Sequence, residues 1–434
     1  MANLTVQLVA AQVLRDTIDR GRSLDRALGS QMERISPEQR PVLQEIAYGG
    51  CRYYFYIDGI LTSLLSKPIR TKDRMVHFLL LVGLYQIQFM RTPDHAAVNQ
   101  TVKALAASKQ SWARGLVNGV LREFLRRQKN DVAALTESLT ASQLASFSPY
   151  LYQVIGDAWG DLAETIYATS TRRPPLTLRV NLQKTTRQDY LALLGAREIK
   201  AYATEDSLTG VTLEQPLAVD HLPMFSEGWV SVQDESAQLC TAALQLEPGL
   251  RVLDTCAAPG GKSCAILEAE PSVALTAVDL PERVDAISQN LDRIGLQALV
   301  HDSGLEDHDQ WWDGKPWYRI LMDVPCSGTG VIRRHPDILH HREPGDLERF
   351  AMQQLDLLNI AWEMLAPGGK LLYVTCSIMP LENDGVIGQF LATVSNALVE
   401  AVEGIPGQKT RHGLQRLPGI HQGDGFYFCR LAKL

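Results

Sequence analysis

Cysteine is sparse in this chain and never closely paired: seven residues in 434, with no C-x-x-C spacing among them. That argues against a disulfide framework and against a structural zinc or other metal site, and it suggests a reducing, cytoplasmic setting where an individual thiol stays reactive. No apolar run is long enough to span a bilayer. LLLVG at 79–83 comes nearest, and polar or charged residues flank it, so no membrane partner is expected. The opening MANLTVQLVAAQVL lacks a basic leader and a clear small-residue cleavage site, and does not read as a signal peptide. Internal repeats and low-complexity tracts are absent as well.

What is there is the composition of a soluble globular protein, 45% hydrophobic and 21% charged, on a chain too long for one ordinary core. Two or three domains are expected. The net charge of −7 conceals an asymmetry. Residues 1–130 hold 19 Lys and Arg against 10 Asp and Glu, a net +9 that leaves −16 for the remainder. A basic front end on an acidic protein suggests a polyanionic partner such as nucleic acid, although a helical bundle with a solvated Arg-rich face would look the same.

Organisation changes along the chain. VQLVAAQVLRDTI, PVLQEIAYGGCRYYFYIDGILTSLL and MVHFLLLVGLYQIQFM repeat apolar residues at helical spacing, and SWARGLVNGVLREFLRR continues the pattern with four arginines. Residues 1–139 therefore read as an all-α bundle. Residues 140–230 are mixed, with the alternating LTLRVNLQKT before a helix, and read as a small α/β connector. Beyond, RVLDT, ALTAVDL, RILMDV and GKLLYVTCS are short apolar runs separated by helix-length segments. Such runs belong to parallel strands buried on both faces, so residues 231–434 should form a doubly wound, Rossmann-like α/β domain. Ligands in such sheets bind beyond the carboxyl ends of the strands.

The chemistry-bearing residues cluster at those ends. In RVLDTCAAPGGKSCAILE a strand passes through Cys256, Ala257, Ala258, Pro259, Gly260, Gly261 and Lys262 into a helix, where glycine lets backbone approach a ligand and the helix offers unpaired N–H groups. The turn is not G-x-G-x-x-G, so a dinucleotide is disfavoured. Asp279 ends the next strand, where a carboxylate accepts from both ribose hydroxyls of an adenosine, unless it merely caps a helix. Asp302 follows the next apolar segment and could reach the adenine. Ribose, adenine and a small carboxylate-bearing tail together describe S-adenosyl-L-methionine.

Two further strands end in Asp323 with Cys326, in DVPCSGTG, and in Cys376, in VTCS. One cysteine at a strand end is usually a small buried apolar residue. Two, each followed by serine and opening on the same sheet edge as the glycine turn, suggest thiol chemistry. Carbon 5 of a pyrimidine is a poor nucleophile, but a thiolate added to carbon 6 makes the ring enamine-like and able to take a methyl group. A second group must then remove the carbon-5 proton, and a carboxylic acid near ring nitrogen 3, the role given to Asp323, would stabilise the adduct. The residues alone leave the order of the two cysteines open.

DTCAAPGGK, AVDL, DVPCSGTG and VTCS, in this order, resemble the successive motifs of the NOL/NOP/Sun family of RNA 5-methylcytosine methyltransferases. EGWVSVQDESAQL, RVN at 179–181, RRHPDI at 333–338 and GDGFYF at 423–428 resemble it too, and the bundle ending GLVNGVLREFLRR is similar to the RNA-binding antitermination factor NusB. The combination, over essentially the whole chain, resembles the bacterial RsmB (Fmu/Sun) type. The resemblance implies an enzyme acting on a cytosine of 16S ribosomal RNA; tRNA is the alternative substrate, a non-catalytic assembly factor the alternative role, and a monomer is expected. It implies that Cys376 attacks carbon 6 and Cys326 assists release, and that residues 256–262 with Asp279, Asp302 and Asp323 bind the cofactor. His-Asp-Ser at 301–303 stands where the family commonly has Gly-Asp, so the contact of Asp302 is the less secure. Arg333, Arg334 and His335 are expected to hold phosphates flanking an unpaired base, if they are not a salt-bridged surface loop.

Overall fold

The computed structural model describes residues 5–108, 110–131 and 133–434. The reading of the first four residues therefore lies outside it. The chain divides into two compact units, one of residues 1–172 with 332–343 and one of 173–331 with 344–434.

The first unit is helical, as the apolar periodicity requires. Its central helix, Arg74–Phe89, is buried from Val76 to Ile87 on every face, which explains why LLLVG is so apolar without being a membrane segment. Helices Val6–Ile18, Arg40–Arg52 and Asp94–Ala107 pack around it. Thr5 caps the first of these by accepting from the Leu8 amide. The long run from Pro41 to Leu65 is two helices rather than one. It breaks at Tyr53, whose ring stacks on Phe89 at 4.1 Å and on Tyr85.

Residues 332–343 belong to this helical unit although sequence places them in the second. Asp337 accepts from the Leu24 amide at 3.1 Å, completing the start of helix Leu24–Gly29. The His340 ring stacks on Phe55 at 5.0 Å, and its Nε2 lies 3.0 Å from the Cys51 carbonyl. Burial pushes the His340 pKa down to about 4, so the ring is neutral in this packing. The expectation that Arg333 holds phosphate is corrected here: Arg333 is buried and its carbonyl accepts from the Arg52 guanidinium at 2.9 Å. Of the three, His335 is the exposed one, 3.8 Å from Asp25.

The second unit has two sheets. In the connector, strands β1 (Leu176–Val180), β2 (Ala201–Ala203), β3 (Gly210–Leu213) and β4 (Val230–Val232) form an antiparallel sheet in the order β2-β3-β1-β4, backed by helix Arg187–Ala196. The larger sheet begins with β5 (Arg251–Thr255), β6 (Ala274–Asp279), β7 (Leu299–Asp302), β8 (Trp317–Asp323) and β9 (Leu365–Thr375), all parallel, in the order β9-β8-β5-β6-β7. Strand order reverses between β5 and β8, and a ligand crevice opens where two neighbouring strands lead their connections to opposite faces. An antiparallel arm completes the sheet: β10 (Ala397–Glu400), β11 (Gln408–Lys409), β12 (Leu414–Arg416) and β13 (Phe426–Lys433), with β13 against β9. Leu253, Ile320, Leu321, Leu371 and Leu372 are essentially inaccessible, the two-sided burial that the continuous apolar runs imply.

Candidate active site

The turn after β5 is built from strained and tightly approached backbone. Cys256 takes a φ of 55° and Gly260 one of 94°, and a Cβ on Gly260 would sit 3.0 Å from the Ile287 Cα. Only glycine meets both demands at 260. The Gly260 amide closes the turn on the Ala257 carbonyl at 2.7 Å, and helix Gly261–Ala269 starts from it. The RVN arginine has its explanation here. Arg179 of β1 is buried, forks onto Glu268 at 2.7 and 2.8 Å, and donates to the Gly261 carbonyl at 2.7 Å, so the connector fixes the back of the turn.

Asp279, at the end of β6, is buried and accepts from the amides of Ala258 and Leu280, both at 2.8 Å, with Arg283 at 3.3 Å. Asp302 is its register partner at the end of β7 and is exposed. The neighbouring His301 stacks on Trp311. The two carboxylates thus share one edge, with Asp279 held firmly and Asp302 open to solvent.

Asp323 is not a lone acid. Its Oδ2 lies 2.5 Å from the Lys262 ammonium, which also sits over the Phe426 ring. Burial is the largest influence on the Lys262 pKa and works to lower it, but the charge of Asp323, its hydrogen bond and the neighbouring Cys240 and Asp254 together outweigh it and hold the ammonium above the ordinary lysine range. This pairing joins residues 61 apart in sequence and was not foreseen.

The two thiols meet. Cys326 Sγ and Cys376 Sγ are 3.3 Å apart, each on the loop leaving its strand. The Gly330 amide donates to the Cys376 carbonyl and the Gly425 amide to the Gly330 carbonyl, both at 2.9 Å. A Cβ on Gly330 would lie 2.1 Å from the Gly425 oxygen, so the GDGFYF segment closes directly behind the Cys326 loop. That segment is itself clasped by DESAQL: Asp234 accepts from the Asp424 amide and Ser236 donates to its carbonyl. The Cys326 pKa is raised well above the ordinary thiol range, first by its hydrogen bond with Cys376, then by burial and by the charges of Cys376 and Glu382.

Two carboxylates in this region escaped the sequence reading. Glu382 lies between the two cysteine loops; an acid six residues after VTC in an otherwise apolar stretch was the available signal. Asp254 sits within the apolar run of β5, fully buried, with Oδ2 accepting from Ser263 at 2.6 Å and Oδ1 without a partner. Burial above all, against the pull of Ser263 and Lys262, pushes its carboxyl up to about 7. In the unfolded chain it ionises near ~4, so stability falls as pH rises from there to the folded value and stays lower above it. Asp254→Asn retains an acceptor for Ser263 and lacks that loss. The variant should be more stable than wild type at about pH 8, by roughly 1–4 kcal/mol, with the gap closing by about pH 4 in chemical or thermal unfolding. A constant difference across that range would contradict the buried-acid assignment.

One open cavity lies apart from these groups. A cavity of 520 Å³ lies between the connector and helices Glu235–Leu244 and Gly261–Ala269, lined by Arg179, Asp206, Gln238 and Glu268 among others, and by neither thiol nor Asp279. The chemistry-bearing groups line the strand-end crevice instead. They fit an adenosine-bearing sulfonium donor: a close-approach turn, a buried carboxylate at the second strand end, and an unpartnered buried carboxyl oxygen beneath. Among the described residues there is no cluster of His, Cys, Asp and Glu able to hold a metal, and no helix long and apolar enough to cross a membrane.

Three family models match successive parts of the chain. Residues 241–432 match the model of the 16S rRNA methyltransferase RsmB/F family, residues 4–126 that of the NusB family, and residues 147–220 that of a ferredoxin-like domain of RsmF/B-like methyltransferases. Over 99% of its length the chain is 39% identical to ribosomal RNA small subunit methyltransferase B of Klebsiella pneumoniae subsp. pneumoniae, covering 99% of that protein. It is 41% identical to the protein of that name from Pseudomonas syringae pv. tomato, over 99% of this chain and 97% of the other. The solved structure of PH0851 has the same fold, with a TM-score of 0.82 over 98% of this chain and 99% of the other at 20% identity.

Proposed function

The chain belongs to the ribosomal RNA small subunit methyltransferase B family and is an rRNA methyltransferase that uses S-adenosyl-L-methionine, and we propose that it methylates carbon 5 of a cytosine in 16S ribosomal RNA through a covalent bond from Cys376. The observation that carries this reading is the pair of thiols 3.3 Å apart at the ends of adjacent parallel strands. A methyltransferase acting on an already nucleophilic oxygen or nitrogen has no use for two.

The bound cofactor, held by residues 256–262 with Asp279 and Asp302, supplies an electrophilic methyl group. All else is asked of side chains. Cys376, as thiolate, forms a bond to carbon 6 of the cytosine, and the ring electrons move toward carbon 5 and nitrogen 3. Asp323 is committed to Lys262, so the pair rather than a lone acid serves the ring. The ammonium donates toward nitrogen 3, and the carboxylate accepts from the exocyclic amine that distinguishes cytosine from uracil. Once carbon 5 carries its methyl group, its remaining proton must leave. Consumption of the Cys376 thiolate in the adduct removes the main cause of the raised Cys326 pKa; Cys326 gives its own proton to solvent and, as thiolate, takes the carbon-5 proton. The electrons of the carbon–hydrogen bond restore the ring double bond, and the carbon–sulfur bond breaks to return Cys376.

The test is methyl transfer to purified 16S rRNA lacking the modification, with bulk tRNA as competitor and the product nucleoside identified by mass spectrometry. The expected product is 5-methylcytidine in 16S rRNA alone. Methylation of tRNA, or of a ring nitrogen or ribose oxygen, would overturn the substrate or the chemistry respectively.

A further inference from the structure

Glu382 touches neither of the groups that react, yet it bridges the two reactive loops by its side chain. It follows the Cys376 loop and is fully inaccessible to solvent. One carboxylate oxygen accepts from the Ser327 amide at 2.7 Å and from Gln354 Nε2 at 3.1 Å; the other accepts from the hydroxyls of Ser327 at 2.5 Å and Ser377 at 2.6 Å. Ser327 is the residue after Cys326 and Ser377 the residue after Cys376. The serines that follow both cysteines are therefore not incidental, because they are the handles by which one carboxylate grips both loops. Gln354 extends the brace, donating also to the Pro325 carbonyl at 2.9 Å, and Tyr373 holds Gln354 and the Glu382 carbonyl in turn.

We infer that Glu382 is a positioning residue that sets the separation of Cys326 and Cys376 by bridging their loops. A buried carboxylate is costly unless its acceptor sites are filled, and four donors fill them here, so the bridge has one low-energy arrangement. The thiols need such a device. One must attack above carbon 6 while the other waits near the carbon-5 proton, and a displacement of ~1 Å costs about a hundredfold in such reactions. Its negative charge has a second effect, since it helps keep the proton on Cys326 until the adduct has formed.

The inference rests on the covalent reading above for its meaning, but its primary test does not use catalysis. Phenylarsine oxide bonds both sulfurs of a close thiol pair and releases water, and capture is followed by intact mass spectrometry on the full-length protein. Wild type should take up one arsenical on Cys326 and Cys376. Glu382→Ala should do so at least about tenfold more slowly and lose about a hundredfold in methyl transfer, while its affinity for S-adenosylmethionine by calorimetry is unchanged. Glu382→Gln keeps an acceptor for the Ser327 amide, and the two hydroxyls can turn to accept from its amide nitrogen. It should restore arsenical capture, and with Cys376→Ala in the background it should move alkylation of Cys326 to lower pH, which a purely structural role would not do. Capture by Glu382→Ala at the wild-type rate would overturn the inference. So would a Glu382→Gln variant that folds and binds cofactor but captures as poorly as the alanine variant. If wild type captures the arsenical but leaves every RNA unmethylated, the proposed function fails and the bridge stands.

Discussion

Cys376→Ala yields neither methylated RNA nor a covalent RNA complex, with methyl transfer reduced on the order of 10⁴-fold or more. The size of the effect follows from what the thiol contributes. Without addition at carbon 6, carbon 5 has no enamine character, and binding the base beside the methyl donor does not activate it. No neighbouring group can take over. The other sulfur is 3.3 Å away on a loop fixed by Glu382 and Gly330, away from the position from which Cys376 reaches carbon 6. Binding of S-adenosylmethionine should be unaffected, because its proposed contacts are on the ends of β5, β6 and β7. Quench-flow transfer of labelled methyl and calorimetric titration of the cofactor check the two halves separately.

Cys326→Ala should behave in the opposite sense. Attack and methylation proceed, but the carbon-5 proton has no acceptor, so the protein stays bonded to its methylated RNA. Turnover falls by roughly 10²–10⁴-fold, the usual contribution of a positioned acid–base group, while a complex resistant to denaturant accumulates. Denaturing gels after incubation with RNA and cofactor measure it. The contrast matters more than either number. Two thiols that only filled space would each cost a little stability and neither would trap RNA.

The parallel strands were legible because two-sided burial writes itself as continuous apolar runs, and RVLDT, ALTAVDL, RILMDV and GKLLYVT all lie where their composition indicates. Their ends gave the candidate site, since topology brings the ends of β5, β6, β8 and β9 to one edge whatever the loops do. The connector's strands pair antiparallel, and the arm of β10 to β13 turns a parallel sheet into a mixed one; neither arrangement follows from strand patterning, which records burial and not direction. The break at Tyr53, whose ring stacks on a helix distant in sequence, leaves no mark in the apolar periodicity. Lys262 with Asp323, and Glu382 with the two serines, are contacts across the sheet edge, and polar pairing of this kind leaves no periodicity. Arg333 was misread for the same reason: an arginine beside a catalytic loop looks like a phosphate ligand until its segment is seen to pack into the helical unit.

The central claim is that Cys376 carries the RNA during catalysis. Its most direct measurement is peptide mass spectrometry on the complex trapped by Cys326→Ala, after digestion of both protein and RNA. The expected result is a cytidine nucleotide bearing an additional methyl group, bonded to the peptide that contains Cys376. A nucleotide on any other residue, or an unmethylated one that never acquires the group, would contradict the account.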